Sequence, residues 1–304
     1  MPRIGVVGVP RGWSSELLAD RVAELTGYRL LIDMQEVRLE LPERRAWFQD
    51  IDLRTLDALL IKKIGARYSP DLLDRLEILR CLHEAGLPTY SAPESIIRVL
   101  DRLTCTITMQ SAGIPMPPTT ITEDVAAATA AVERYGAAVL KPLYTTKARG
   151  MSLLEAGPGL RDRIAAYARE HPIIYVQKKI ELPGKDLGIV FLGGRYLTTY
   201  ARRKGPSWST TTQFGGRYEA HDPPEALIAL AHRAQAPFGL DFTCVDVAES
   251  EIGPIVFEVS AFGGFRGIQE ARGLDAARRL VEYVLADLEH RRGETHDECT
   301  GQRV

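Results

Sequence analysis

Two acidic residues in the last third of the chain are spaced to share a cation. Asp246 lies in the apolar run FTCVDVA and Glu258 in PIVFEVS, and the polar stretch ESEIG between them reads as a hairpin turn. With that turn centred between residues 251 and 253, antiparallel partners carry numbers summing to about 504, as 246 and 258 do. Side chains alternate along strands, so Cys244, Asp246, Glu258 and Ser260 are expected on one face and Val245, Val247, Phe257 and Val259 on the apolar other. Opposed carboxylates with Cβ atoms ~5 Å apart repel each other unless a cation lies between them. Oxygen donors in an incomplete cage suit Mg²⁺, which keeps waters and recruits ligand phosphates. By itself the pair fits a solvated face equally well, or a register slipped by one residue.

Cationic residues elsewhere call for a polyanionic ligand at the same metal. Lys141 ends the strand-like AVLK, just before a loop holding Thr145, Thr146, Lys147, Arg149 and Gly150. Small residues let backbone donors approach phosphate oxygens, and the lysine adds a mobile point charge. Arg202, Arg203 and Lys204 leave the strand-like YLTTYA together and precede the hydroxyl-rich GPSWSTTTQFGG. At least one of these arginines is placed to neutralise a transferred phosphoryl group, for which a planar fork is suited; an exposed basic turn is the competing reading.

Several elements must position these groups. RIGVVGV reads as a strand, the segment with Leu17, Leu18, Val22 and Leu25 as a helix ending at Gly27, RLLID and DALLIKKI as further strands, and a helix opens after Ser69 and Pro70. This alternation predicts a small parallel α/β sheet over residues 1–92. Two helical pieces and a proline-rich exit follow, then a helix at about 123–135, the strands AAVLKPL and MSLLEA around the phosphate loop, and the strand IIYVQKKI, a small lobe within 93–180. Residues 181–290 hold the hairpin DLGIVFLGGRYLTTYARR, a polar loop from Lys204 to Gly216, a helix at about 223–236, the acidic hairpin and a last helix; 291–304 are expected to fray.

Composition narrows the function. The 304 residues, 45% apolar and 26% charged, describe a soluble globular protein of two or three domains. With 38 Lys and Arg against 40 Asp and Glu, no global positive field exists to hold nucleic acid or anionic lipid, although a local cluster can hold a small phosphorylated ligand. No stretch approaches the ~20 apolar residues of a membrane span, so a cytoplasmic protein is expected. The four cysteines form no C-x-x-C pair, which supports neither a disulfide framework nor a thiolate zinc site. Gly5, Gly8 and Gly12 do not make the dinucleotide fingerprint G-x-G-x-x-G, and no Walker G-x-x-x-x-G-K-[ST] occurs. Trp13, Arg67 and Tyr68 follow strands of the parallel sheet, where ligand-binding loops gather.

The order of these pieces resembles a known family. A Lys-Pro strand, a short phosphate loop, VQKKIEL followed by GKD, an ARR strand end, VDV, and FEVS before a glycine-rich turn resemble the RimK-like branch of the ATP-grasp superfamily over about residues 57–290. LDRLTCTITMQSAGIPMPPT is similar to that branch's opening segment, and the chain is also similar to the ATP-grasp enzymes of the GAK gene system. The resemblance implies an α/β (α+β) ATP-grasp fold: an N-terminal pre-ATP-grasp parallel α/β domain, a small ATP-binding lobe and a C-terminal lobe closing over ATP.

By matching position it further implies that Lys141 and Lys147 contact ATP phosphates and that Gln177, Lys178, Lys179 and Ile180 form the adenine-side hinge. Asp186 matches an acidic position near the ribose, Arg202 the basic residue at the γ-phosphate and acyl phosphate, and Asp246, Glu258 and Ser260 the metal position, with one or two Mg²⁺ ions that Mn²⁺ can replace. Three departures stand out: Ser260 where the family usually has Asn, Asp101-Arg102 for its Asp-Lys pair, and TTKARGM for its glycine-serine loop.

The implied activity is ATP-dependent carboxylate–amine ligation through an acyl phosphate, on small-molecule or peptide carboxylates and amines, with homo-oligomers compatible. A phosphotransferase that stops after phosphoryl transfer and a non-catalytic nucleotide-binding regulator are the alternatives.

Overall fold

The computed structural model describes residues 1–145, 148–205 and 216–300, with side chains to residue 293. Its first sheet is parallel, in the order β2 (Leu31–Ile32), β1 (Ile4–Val7), β6 (Ala58–Ile61) and β7 (Thr89–Tyr90). α1 (Trp13–Thr26) and α2 (Asp71–Glu84) make the crossovers. Both central strands are fully buried apolar runs, as a sheet covered on both faces requires. Between β2 and β6 the chain inserts an antiparallel meander of β3 (Val37–Glu40), β4 (Arg45–Phe48) and β5 (Ile51–Asp52), which the sequence reading did not anticipate.

α3 (Pro93–Leu100) and α4 (Arg102–Ser111) lead into a small antiparallel sheet. It runs in the order β10 (Ser152–Glu155), β9 (Ala137–Leu140), β11 (Ile174–Lys178) and β8 (Thr119–Thr122). α5 (Val125–Tyr135) and α6 (Leu160–Glu170) close this lobe over its own core, around Ala131, Leu140, Ile164 and Val176. The third sheet is antiparallel: β14 (Arg217–Ala220), β13 (Arg195–Arg203), β12 (Lys185–Leu192), β15 (Phe242–Ser250) and β16 (Gly253–Ser260). α7 (Glu225–Gln235), α8 (Phe265–Arg272) and α9 (Ala276–Thr300) complete the chain.

The first and third sheets share cores. Leu59 and Ile61 of β6 belong to one apolar cluster with Ile189, Val245 and Val259, and Val6 of β1 to another with Val190, Phe265 and Val281. Burial therefore fixes the parallel sheet against the sheet that carries the acidic hairpin.

Two expectations are corrected. α9 does not stop near residue 290 but runs to Thr300. Arg291 pairs with Asp287 one turn back at 2.6 Å and Arg292 reaches Asp57 at 2.5 Å. The glycine-rich stretch after FEVS is not only a turn, because α8 begins at Phe265. The hydroxyl-rich loop lies at residues 206–215, outside the described residues. No helix among the described residues is long and apolar enough to cross a membrane.

Candidate active site

The acidic hairpin has the expected pairing at its upper end: Asp246 faces Glu258 and Cys244 faces Ser260. Its turn is tighter than expected, Ser250 pairing with Gly253, and a bulge between Asp246 and Val247 takes up the difference. Gly253, at φ +100, supplies the left-handed backbone that this turn needs. The bulge also re-aims Phe257. Expected on the apolar face with Val245 and Val247, Phe257 instead lines the cleft, its ring centroid 5.6 Å from the Lys141 Nζ.

Arg202 organises the carboxylates. It stands opposite Asp186 across β12 and β13, and Asp246 stands opposite Gly188 across β12 and β15. The guanidinium donates through Nε to Asp186 Oδ1 at 3.1 Å and through a terminal nitrogen to Oδ2, and also reaches Asp246 Oδ2 at 2.8 Å. Asp186 is 5% exposed and pairs with Arg202 at the edge of the cleft that it lines. Desolvation pushes the Asp246 carboxyl up to about 6, against the pull of Arg202 and with added repulsion from Asp186 and Glu258. Glu258 is more open, with Arg102 at 3.9 Å.

Lys141 directly follows β9 and its Nζ donates to Gln177 Oε1 at 2.5 Å. Burial, and then Arg102, push this ammonium down to about 7. Gln177 is held in turn by donation to Thr119 Oγ1 at 3.2 Å, so the hinge residue acts here through its side chain. The Lys178 and Lys179 N–H groups donate to the carbonyls of Pro118 and Ala137, whereas the Ile180 N–H makes no backbone hydrogen bond among the described residues. Lys147 lies outside the described residues.

These groups line one open cleft of about 640 Å³, enough for a nucleotide and a small partner. It brings together Lys141 with Gln177, Lys178, Lys179 and Ile180 on one lobe, and Asp186, Arg202, Asp246, Glu258 and Ser260 on the other. Trp13 and Tyr68 reach it; Arg67 is exposed outside it.

Two cations escaped sequence reasoning. Arg102 donates to the carbonyls of Pro142 at 3.1 Å and Thr145 at 3.2 Å, bracing the phosphate loop; its place in the altered Asp-Arg pair was the available signal. Lys62, 3% exposed, ends an apolar run with nothing to mark it out.

The donor set fits a hard divalent cation. Asp246 and Glu258 supply facing carboxylates and Ser260 a hydroxyl on the same face, and burial, with the neighbouring carboxylates adding to it, disfavours the charged Asp246 that a cation would stabilise. No group of three or more His, Cys, Asp or Glu gathers to hold a metal among the described residues, so phosphate oxygens and water would complete the shell, as suits Mg²⁺.

Comparison with known proteins gives the family. A family model described as the RimK-like ATP-grasp domain matches residues 99–284. The tetrahydromethanopterin:alpha-L-glutamate ligase of Methanosarcina acetivorans is 24% identical over 320 residues, covering 93% of this chain and 99% of that protein. A RimK domain ATP-grasp protein from Sphaerobacter thermophilus has a TM-score of 0.71 at 22% identity, covering 93% of this chain and 99% of that one. The ATP-grasp ligase PsnB, solved with a minimal precursor, Mg and ADP, has a TM-score of 0.72 at 18% identity, covering 94% of this chain and 97% of that one.

Proposed function

This chain belongs to the RimK-like ATP-grasp family, and from that premise we propose that it joins a carboxylate to an amine through an acyl phosphate formed from ATP. The observation that carries the reading is the facing pair Asp246 and Glu258, bounded by Arg202 and Lys141 in one cleft. That arrangement lacks a protein nucleophile and is built from groups that neutralise and place a polyanion, which is what phosphoryl transfer asks of a protein.

In this reading Ile180 offers its free N–H to the adenine edge, and Lys141, with Lys147, meets the phosphates. Asp246, Glu258 and Ser260 hold Mg²⁺, one ion or two, for which Mn²⁺ can substitute. When bound, the metal supplies charge neutralisation on the β- and γ-phosphates. A substrate carboxylate oxygen attacks the γ-phosphorus, the bond to the β-phosphate oxygen breaks and ADP leaves. Arg202 holds the charge of the resulting acyl phosphate. An amine then attacks the carbonyl carbon, its proton passes to solvent, and phosphate leaves with the C–O electron pair as the amide forms.

L-Glutamate is the first amine to test, because relatives bear the name alpha-L-glutamate ligase. The carboxylate partner is a small molecule or a peptide, and the cytoplasm, with its ATP, is the natural setting. The test is ADP release from Mg·ATP with L-glutamate and a panel of carboxylates, followed by mass spectrometry. Amide plus phosphate is expected. A stable phosphorylated product would make the protein a phosphotransferase, and nucleotide binding without turnover across the panel would make it a regulator.

A further inference from the structure

Lys62 is a buried cation with no part in the chemistry above. It directly follows β6 in the N-terminal parallel sheet, yet its Nζ donates to the carbonyls of Phe262 at 3.0 Å and Gly263 at 3.4 Å, two hundred residues further on. The same nitrogen lies 3.7 Å from the centroid of the Phe265 ring and 5.7 Å from that of Phe242. Among the described residues no Asp or Glu pairs with it, and burial, with Lys63 nearby, pushes the ammonium down to about 7. Enclosing an ammonium without a carboxylate is unfavourable unless its protons find acceptors, so this placement has to be sustained by the two carbonyls and the ring face.

Apart from Lys62, the gripped segment's side-chain hydrogen bond among the described residues is a long one, from the Phe262 N–H to Ser260 Oγ at 3.4 Å. Phe262 to Gly264 links Ser260 at the end of β16 to the first turn of α8, and Gly264, at φ +95, gives that helix no side-chain cap. On one side the turn is pressed against β15: a Cβ at Gly263 would stand 2.8 Å from that of Cys244. Just beyond, a Cβ at Gly267 would stand 2.8 Å from the Tyr200 ring. On the other side Lys62 supplies the donors. The held residues line the same cleft as Asp246 and Glu258, and there the Arg266 guanidinium lies 5.2 Å from the Trp13 ring of the N-terminal sheet's first helix.

We propose that Lys62 is a positioning residue: through it the N-terminal sheet clamps the Phe262–Gly264 turn, setting one wall of the cleft that holds Asp246 and Glu258. The proposal rests on the ligase reading for what that cleft receives, but the clamp itself can be tested without substrate.

Lys62→Met keeps the stem length and removes the donors. In the full chain, amide hydrogen exchange at residues 261–267 should become about tenfold faster, as expected for losing a charged hydrogen bond to a turn. The small β9–β11 lobe should be unaffected, and affinity for Mg·AMPPNP should stay within about twofold, because the hinge and Lys141 lie on other elements. With the substrates found by the ADP-release screen, the KM of the carboxylate or of the amine should rise about tenfold while the ATP KM stays constant, a split that general loosening does not produce. If Lys62→Met does not fold, Phe265→Leu, which removes the ring and keeps both hydrogen bonds, should change the same readouts in the same direction by a smaller factor. Unchanged exchange at 261–267 would overturn the proposal, as would faster exchange spread evenly over the chain with nucleotide affinity lost alongside. Wild-type protein that does not bind Mg·AMPPNP would instead overturn the ligase reading, with the exchange measurement still deciding the clamp.

Discussion

The Lys141 Nζ lies 2.5 Å from Gln177 Oε1, so the lysine at the end of β9 is aimed by the neighbouring strand β11 rather than by its own loop. Gln177 is 1% exposed and its amide nitrogen is already held by Thr119. The side chain therefore has little freedom to turn away, and the ammonium stands pre-oriented in the cleft.

Lys141→Ala should weaken Mg·AMPPNP binding at least about tenfold, the scale of a charged hydrogen bond lost to a phosphate. Gln177→Leu should give a smaller loss in the same direction, since it frees the lysine without removing it. Calorimetry decides the point, and unchanged affinity in Lys141→Ala would remove this residue from the phosphate site.

The low Lys141 value has a signed consequence. In the free protein the ammonium titrates near 7, against about 10.4 for an exposed lysine. A bound polyanion favours the charged form, so binding should take up protons, and nucleotide affinity should rise as pH falls from about 9 toward 7. The folded chain binds fewer protons at this site than the unfolded chain between those values, so the lysine's burden on the free protein is largest near neutrality and fades as pH rises. Lys141→Met should therefore raise the melting temperature of the free protein at pH 7 more than at pH 9, and should abolish its share of the proton uptake measured by calorimetry in buffers of different ionisation enthalpy. Proton uptake identical in Lys141→Met and wild type would contradict the assignment.

Glu258→Gln should abolish turnover while leaving the fold intact. The side chain is partly open to the cleft, and its ion-pair partner, Arg102 at 3.9 Å, is anchored independently on the carbonyls of Pro142 and Thr145. Removing the charge therefore breaks little structure while halving the carboxylates facing the cation position. Near wild-type ATP consumption with substrates present, at an unchanged melting temperature, would take Glu258 out of the metal site.

Much of this arrangement was legible because strand alternation is a strong rule. Asp246, Glu258 and Ser260 follow from period-two patterning and one turn. The pairing of Asp246 with Glu258 was nevertheless reached through a turn centre that the tighter Ser250–Gly253 closure does not have, offset by a bulge no local pattern announces; Phe257 was misplaced for that reason. Lys62 was not legible, because its partners are backbone carbonyls, which carry no sequence signal, on a turn far away in the chain. Nor was α8, which starts directly after the turn glycines 263 and 264 and whose own Gly267 serves close approach to Tyr200 and Tyr218. The link between Arg202 and Asp186 was hidden for a different reason: each was matched separately to a nucleotide, and only the cross-strand register of β12 and β13 joins them.

Ser260 offers the test closest to the metal chemistry. It faces Cys244 across the hairpin on the side of Asp246 and Glu258, and its Oγ accepts from the Phe262 N–H at 3.4 Å, a long bond that leaves the hydroxyl able to turn toward a cation. A serine oxygen is neutral and carried on a shorter side chain than an Asn carbonyl, so a water is expected to fill part of the coordination shell that Asn would occupy. Ser260→Asn should therefore lower the Mg²⁺ concentration needed for half-maximal Mg·AMPPNP binding without creating a new activity. The added volume has somewhere to go, because residue 260 lines the cleft. A titration of nucleotide binding against Mg²⁺ at fixed ionic strength measures the shift. If the Asn variant needs as much Mg²⁺ as wild type, or more, residue 260 does not reach the metal, and the ion is held by Asp246 and Glu258 with phosphate and water alone.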